Sequence, residues 1–412
     1  MKRFFDLNSV LSMCFFGFIF TGFIQFIFYS FGYSSASNFL LYAVNSYQVY
    51  LPQSIKPDIF LEAVTLHGLQ FFAIYLAFKF TLNINYTSHF KKIKRKISAK
   101  FITRLYFLTI FFIILIPLNY FAQIQIFTHY INVIIQFFFY IYLFLHLNKI
   151  KFNKRYFYIT TITLIFLLVL GFAENLGRGT VLNLLLSVLL IFKYSEIKIT
   201  VSNFFYSVVI LLASSIYMTS IKFSTTENII SFGIDQLFSR INLTQSTYWV
   251  IESPELFSLY DDSLDRLLNF IIPFYDFVKR DINTYNLNEY AFQLAYGGNL
   301  VNKSDISGGY AFSPIAETMI NFNSIGLGLL FIFFYYMLAA FYMKVIIRLS
   351  PIVFIGLIPF LISGILMPEN LIYISQSLFR NGLILLILSL YMTSNITQNF
   401  SKKNKFYDHN NR

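Results

Sequence analysis

A single cysteine, Cys14, leaves this 412-residue chain unable to form an intrachain disulfide, so its extramembrane parts must be held by packing. Histidine is nearly as scarce. His67, His89, His129, His146 and His409 each lack a second metal-ligating residue three or four positions away, the spacing that a helix-borne metal site needs. The same scarcity argues against a Ser/His/Asp constellation. No glycine-rich loop ending in Lys-Ser or Lys-Thr is present, so there is no sign of ATP hydrolysis. Charged residues are only 12% of the chain, against about 25% in an ordinary soluble domain. That shortage excludes a normally solvated surface.

What fills the space is apolar: 57% hydrophobic residues, with 53 Phe and 30 Tyr. A hydrocarbon core of about 30 Å takes about 20 apolar residues of helix. Ten stretches reach or approach that length, at about 9–30, 59–80, 101–121, 124–147, 156–173, 180–194, 201–221, 314–343, 350–367 and 380–397. The expected fold is an all-α polytopic membrane protein of about ten transmembrane helices. The abundant aromatics are read as lipid-facing and interfacial filling.

The net charge of +12 resembles a nucleic-acid footprint until the charges are placed along the chain. Lys and Arg concentrate in alternate connections: Lys2 and Arg3; Lys91, Lys92, Lys94, Arg95, Lys96, Lys100 and Arg104; Lys149, Lys151, Lys154 and Arg155; Lys193 and Lys198; Lys344 and Arg348; and the tail from Lys402 to Arg412. An excess of basic residues marks cytoplasmic loops. The pattern therefore predicts an even number of spans with both termini cytoplasmic, an uncleaved first span after Met1-Lys2-Arg3, and no nucleic-acid partner. The basic loop 83–100 is expected to meet anionic lipid.

One long interval carries no membrane-spanning run. The division that follows is a transmembrane bundle over 1–221, an extracytoplasmic helical loop domain over 222–313, three spans over 314–398 and a basic cytoplasmic tail over 399–412. Acids outnumber bases in the insert. Amphipathic helices are expected at Ile229–Ile241 and, after an Asp261-Asp262-Ser263 start, at Leu264–Phe270. The insert leaves through Gly308-Gly309-Tyr310-Ala311-Phe312-Ser313-Pro314-Ile315-Ala316-Glu317.

Chemistry at the outer face rests on arginines and one carboxylate. Arg178 lies in the tight turn Glu174-Asn175-Leu176-Gly177-Arg178-Gly179-Thr180, where flanking glycines admit close approach of another group. A guanidinium there offers forked donors to a phosphate and keeps its charge. The blander role is an interfacial Arg paired with Glu174. Glu317 falls one turn into the next span, an expensive place for a carboxylate. Ser313, Pro314 and Glu317 are also what a plain helix start uses. Arg240, Arg266, Arg280 and Arg380 complete the basic set, each alone suited to a surface ion pair. Glu62 and His67 are about one turn apart and are candidates for a pair inside the bundle. Gly326 and Gly328 read as close helix packing.

Taken together, the Arg178 turn, the Ser239-Arg240-Ile241 start of the long outer loop and the Gly-Gly…Ser-Pro…Glu…Asn-Phe-Asn…Gly-x-Gly exit resemble the Wzy-type polymerases of O-antigen and capsule repeat units. These belong to the O-antigen polymerase and ligase superfamily. The resemblance covers about 150–390 and rests on short motifs. It implies a C-type glycosyltransferase-like fold in the bacterial inner membrane. It implies an enzyme using neither metal nor other cofactor, which moves a growing glycan from undecaprenyl diphosphate onto the next lipid-linked repeat unit. A flippase and a chain-length regulator would be its partners. On this resemblance Arg178 and Arg240 contact the diphosphate, with Glu317 at the loop exit and Arg380 as an extra contact. Arg266 and Arg280 are candidates for the same anion site if the outer arginines converge, and Glu317, a carboxylate at a desolvated membrane boundary, suits the role of catalytic base beside Arg178. The histidine that ligases carry at the loop exit is replaced by Ala311-Phe312-Ser313, which favours polymerase over ligase. A flippase for lipid-linked oligosaccharide is the alternative from a different class; it would place charge inside the spans and keep the outer loops short.

Overall fold

The computed structural model describes residues 9–24, 56–82, 86–122, 125–148, 150, 162, 178–196, 209, 213, 243–254, 312–368 and 371–393. Among the described residues every regular element is a helix and none is a strand. In chain order they are α1 (Val10–Phe18) running on into the π-helical turn π1 (Ile19–Phe23), α2 (Pro57–Thr81), α3 (Tyr86–Lys96), α4 (Ala99–Ala122), α5 (Gln125–Leu147) and α6 (Arg178–Tyr194). Then come α7 (Thr244–Glu252), α8 (Pro314–Phe322), α9 (Ile325–Leu349), α10 (Val353–Gly356), α11 (Ile358–Phe360), π2 (Leu361–Leu366), α12 (Leu371–Ser375), π3 (Gln376–Arg380) and α13 (Asn381–Thr393).

Two of these, α2 and α9, are long and apolar enough to cross a bilayer, and α3 with α4, bent by 97°, makes a third if counted as one broken span. The shorter apolar helices include Val10–Phe23, Val133–Leu147, Asn183–Tyr194 and Ser377–Thr393. The expected spans at 156–173 and 201–221, and the insert helices at Ile229–Ile241 and Leu264–Phe270, lie outside the described residues apart from isolated positions. Phe72, Phe80, Phe107, Phe334 and Phe341 point outward from the bundle while Phe78, Phe138, Tyr336 and Ala339 are sealed inside it. A soluble protein would not carry so much outward phenylalanine on helices already apolar inside; lipid accepts it without cost.

α3 shows why the chain bends where it does. Tyr86, His89, Phe90 and Ile93 are buried, whereas Ser88, Lys91, Lys92, Lys94 and Arg95 are exposed, so one helix face is apolar and the other basic. Bent by 97° from α4, the helix runs across one end of the bundle, which its apolar face closes. Phe90 packs on Phe144 of α5, Tyr194 of α6 and Phe354 of α10, with ring centroids 5.3, 5.3 and 5.9 Å apart. At the same end Lys91 pairs with Glu196 (2.8 Å), Lys344 Nζ donates to the Thr81 carbonyl (3.0 Å) and Arg104 donates to the Tyr391 carbonyl (2.8 Å). Basic residues of two separate connections, Lys91 and Arg104 from one and Lys344 from another, and the Glu196 of a third thus meet at one end of the molecule.

Two expected spans are broken helices. The run 314–343 divides into α8 and α9 at Asn323, whose φ of 45° is left-handed, and Ser324 then caps α9 by accepting from Leu327 N–H. Asn tolerates that conformation better than any branched residue, and the short polar pair stops one helix and starts the next. Gly328 lets α8 and α9 close on each other, since a Cβ there would lie 2.8 Å from Thr318 Oγ1; Gly326 faces open space. The run 350–367 likewise breaks into α10, α11 and π2, with Pro359 inside it and Pro368 after it.

Candidate functional site

Glu317 belongs to α8, a nine-residue helix that leads from the insert exit toward the bundle centre. Ser313 caps it, its Oγ accepting from Ala316 N–H, Pro314 takes the first helical position and Glu317 sits in the first turn. This is the start that the Ser-Pro-x-x-Glu order predicts. The helix does not begin at a water boundary. Ser313 is buried against α7, where Thr247 Oγ1 is 2.9 Å from Ser313 Oγ and Ser246 Oγ accepts from Ser313 N–H at 3.0 Å. On the other side, Ile315 N–H donates to Gln70 Oε1 of α2 at 2.8 Å. Gln70 is thirteen residues into α2, about 20 Å from its start at 1.5 Å per residue.

The carboxylate of Glu317 is 2% exposed and reaches a second broken helix. Its Oε2 accepts from Leu371 N–H at 2.7 Å, at the start of α12. A carboxylate at the first N–H of a helix meets both an orphan donor and the positive end of the peptide dipoles. Tyr335 of α9 holds the same turn, its hydroxyl 3.3 Å from the Leu371 carbonyl and 2.6 Å from Ser375 Oγ. The next residue of α9, Tyr336, donates to the Gly364 carbonyl of π2 at 2.7 Å. The interrupted chain between π2 and α12 is therefore gripped by two adjacent tyrosines and one carboxylate. Non-helical backbone inside an apolar bundle persists only when its polar groups are satisfied in this way.

The polar seam continues toward α1. Thr21 of π1 donates to the Gly17 carbonyl (2.7 Å), lies 2.8 Å from His67 Nε2, and its own carbonyl accepts from Thr244 Oγ1 of α7 (2.8 Å). At the far end of α7, Tyr248 OH accepts from Lys56 N–H (2.9 Å) and Glu252 pairs with Lys56 Nζ (3.3 Å). One short helix of the insert thereby lies along the first half of α2, from the level of His67 to its beginning. The expected Glu62–His67 pair is not formed: Glu62 is exposed and His67 is buried against Thr21. Five residues turn a helix through about 140°, so the two point to different sides.

The expected site residues divide unevenly. Glu317 accepts from Leu371 at the start of a continuous helical run, α12 through π3 to α13, and Arg380, half-buried, lies nine residues further along that run, where π3 gives way to α13. Arg178 is the first residue of α6. Arg240, Arg266 and Arg280 lie outside the described residues. Sequence reasoning missed α7, the α12–π3 unit and the Thr21–His67 contact. Only the Thr-Gln-Ser-Thr run at Thr244–Thr247 and Pro368 hinted at them. Among the described residues no three His, Cys, Asp or Glu gather in a metal-holding group. Comparison with family models, with curated proteins and with solved structures finds no match for this chain.

Proposed function

We propose that this chain is a membrane glycosyltransferase that polymerises lipid-linked oligosaccharide repeat units at the outer face of the bacterial inner membrane. About ten spans carry both termini inside, with the insert over 222–313 outside. The growing glycan moves from undecaprenyl diphosphate to the non-reducing end of the next lipid-linked repeat unit. The observation that carries the reading is the buried Glu317 carboxylate, set where the insert exit meets the start of the helical run Leu371–Thr393, which carries Arg380.

In the proposed reaction an acceptor hydroxyl attacks the anomeric carbon of the donor, forming the new C–O bond while the bond to the diphosphate oxygen breaks. The hydroxyl proton passes to Glu317, and the diphosphate leaves with the bonding electron pair. Arginines at the membrane boundary, Arg178 and Arg240 first and Arg266, Arg280 and Arg380 with them, receive the charge that develops on the leaving group. A lipid diphosphate leaves readily, which lightens the demand for an acid at the leaving oxygen. Arg178→Ala is expected to abolish long-chain glycan while single capped repeats persist, read as a ladder on a gel. An unchanged ladder contradicts the assignment.

A second reading, transport of the same lipid-linked oligosaccharide, draws on the broken helices around π2 and α12, because interrupted helices near mid-span are how many transporters build substrate sites. Its test is the position of the repeat unit in cells lacking the protein. Single repeats displayed on the outer leaflet favour polymerisation, and repeats retained on the inner leaflet favour transport.

A further inference from the structure

His67 and Gln70 lie three residues apart on α2, so they are neighbours on one helix face. Both side chains are wholly buried. Their hydrogen-bond partners fix which atom does what. The Gly17 carbonyl can only accept, so Thr21 must spend its single hydroxyl proton there, at 2.7 Å. The oxygen of Thr21 can then only accept from His67, 2.8 Å away, which makes His67 Nε2 the protonated nitrogen and leaves Nδ1 an acceptor. Ile315 N–H can only donate, so the group of Gln70 facing it at 2.8 Å is the oxygen, and the amide NH₂ points elsewhere. The imidazole is held further by Phe71, perpendicular to it with ring centroids 5.1 Å apart, and by Gly22, where an added Cβ would come within 3.3 Å of the ring.

Two atoms remain after this accounting. His67 Nδ1, an acceptor, and Gln70 Nε2, a donor, are buried with no hydrogen-bond partner among the described residues. A buried polar atom left unmet costs about 1–3 kcal/mol. One face of the same helix thus lacks one donor and one acceptor three residues apart, next to the α8 start that leads to Glu317.

We infer that His67 Nδ1 and Gln70 Nε2 form a binding site for one hydroxyl oxygen, which donates its proton to Nδ1 and accepts from the Gln70 amide. A hydroxyl is the group that meets both needs with one atom; an anion has no proton for Nδ1, and an ammonium has no lone pair for Nε2. The hydroxyl comes either from an internal water or from a polyhydroxy ligand such as a sugar. The inference does not depend on the glycan reading, because a water-filled site would serve any bundle of this build.

The test is nitrogen NMR on the full chain carrying 15N-histidine, in nanodiscs of phosphatidylethanolamine and phosphatidylglycerol. His67 is assigned by loss of its signal in His67→Gln. If that variant does not fold, it is assigned by elimination with single Gln replacements of His89, His129, His146 and His409. The expected result is a neutral imidazole protonated at Nε2, with the Nδ1 resonance moved toward the protonated position, as hydrogen bonding to an imine nitrogen does. That shift in lipid alone identifies the oxygen as water. The shift only after adding the lipid-linked oligosaccharide fraction from a host strain identifies it as a substrate hydroxyl. A proton on Nδ1, or an unbonded Nδ1 resonance with and without that fraction, overturns the site.

Discussion

At the scale of the residue, Glu317 has one observed contact and one proposed duty. Its carboxyl oxygen accepts from the Leu371 N–H, and the proposed transfer uses it as general base. Glu317→Gln keeps the shape and the accepting oxygen. It is expected to leave unfolding in mild detergent nearly unchanged while long-chain glycan is lost. Glu317→Ala strands the N–H and is expected to lower stability by about 1–3 kcal/mol in a denaturant titration. A full glycan ladder from Glu317→Gln would reduce the residue to a helix cap. The sequence announced Glu317 because a carboxylate at that depth is costly, and Ser313-Pro314 announced the helix start. It could not announce Leu371, fifty-four positions away, because a backbone N–H carries no residue signature. His67 was misjudged for a related reason: its partner Thr21 comes from another helix, and neighbours in sequence were the only ones on offer.

At the scale of the element, the basic connection over 83–100 was legible, whereas its amphipathic helix and the interruptions of the spans were not. The Lys/Arg run over 83–100 marked a basic connection, and the buried Tyr86, Phe90 and Ile93 turn it into a helix that closes the bundle end. Phe90→Ala is expected to cost about 3–5 kcal/mol in unfolding experiments, since the ring fills a space between three helices. Lys91→Ala, at an exposed ion pair, is expected to change stability by less than about 1 kcal/mol. Equal effects from the two would mean that α3 does not dock by its apolar face. A close approach gives a third case. A Cβ at Gly17 would run into the Leu366 carbonyl oxygen and lie 2.7 Å from the Phe71 ring, so Gly17→Ala is expected to destabilise by about 1–3 kcal/mol. The break at Asn323 and the divisions within 350–367 escaped a hydropathy reading because most residues on either side remain apolar. Hydropathy averages over a window; one left-handed residue does not alter the average.

At the scale of the whole molecule, the distribution of basic residues predicted which connections lie together, and several of those connections converge at the end that α3 closes. The side of the membrane that this end faces is read by labelling. In a Cys14→Ala background, Ser263→Cys in the insert is expected to react with a membrane-impermeant maleimide on intact spheroplasts, and Ser88→Cys on α3 only after lysis. The opposite pattern would put the insert in the cytoplasm, out of reach of the proposed donor. The most direct measurement uses the purified full chain reconstituted in liposomes with lipid-linked repeat units isolated from a polymerase-deficient host, the products being separated by length. Chains longer than one repeat should form with the wild type and not with Glu317→Gln. Repeats that stay single with a folded wild-type protein, or chains that lengthen equally with Glu317→Gln, contradict the proposal that this buried carboxylate performs glycan transfer.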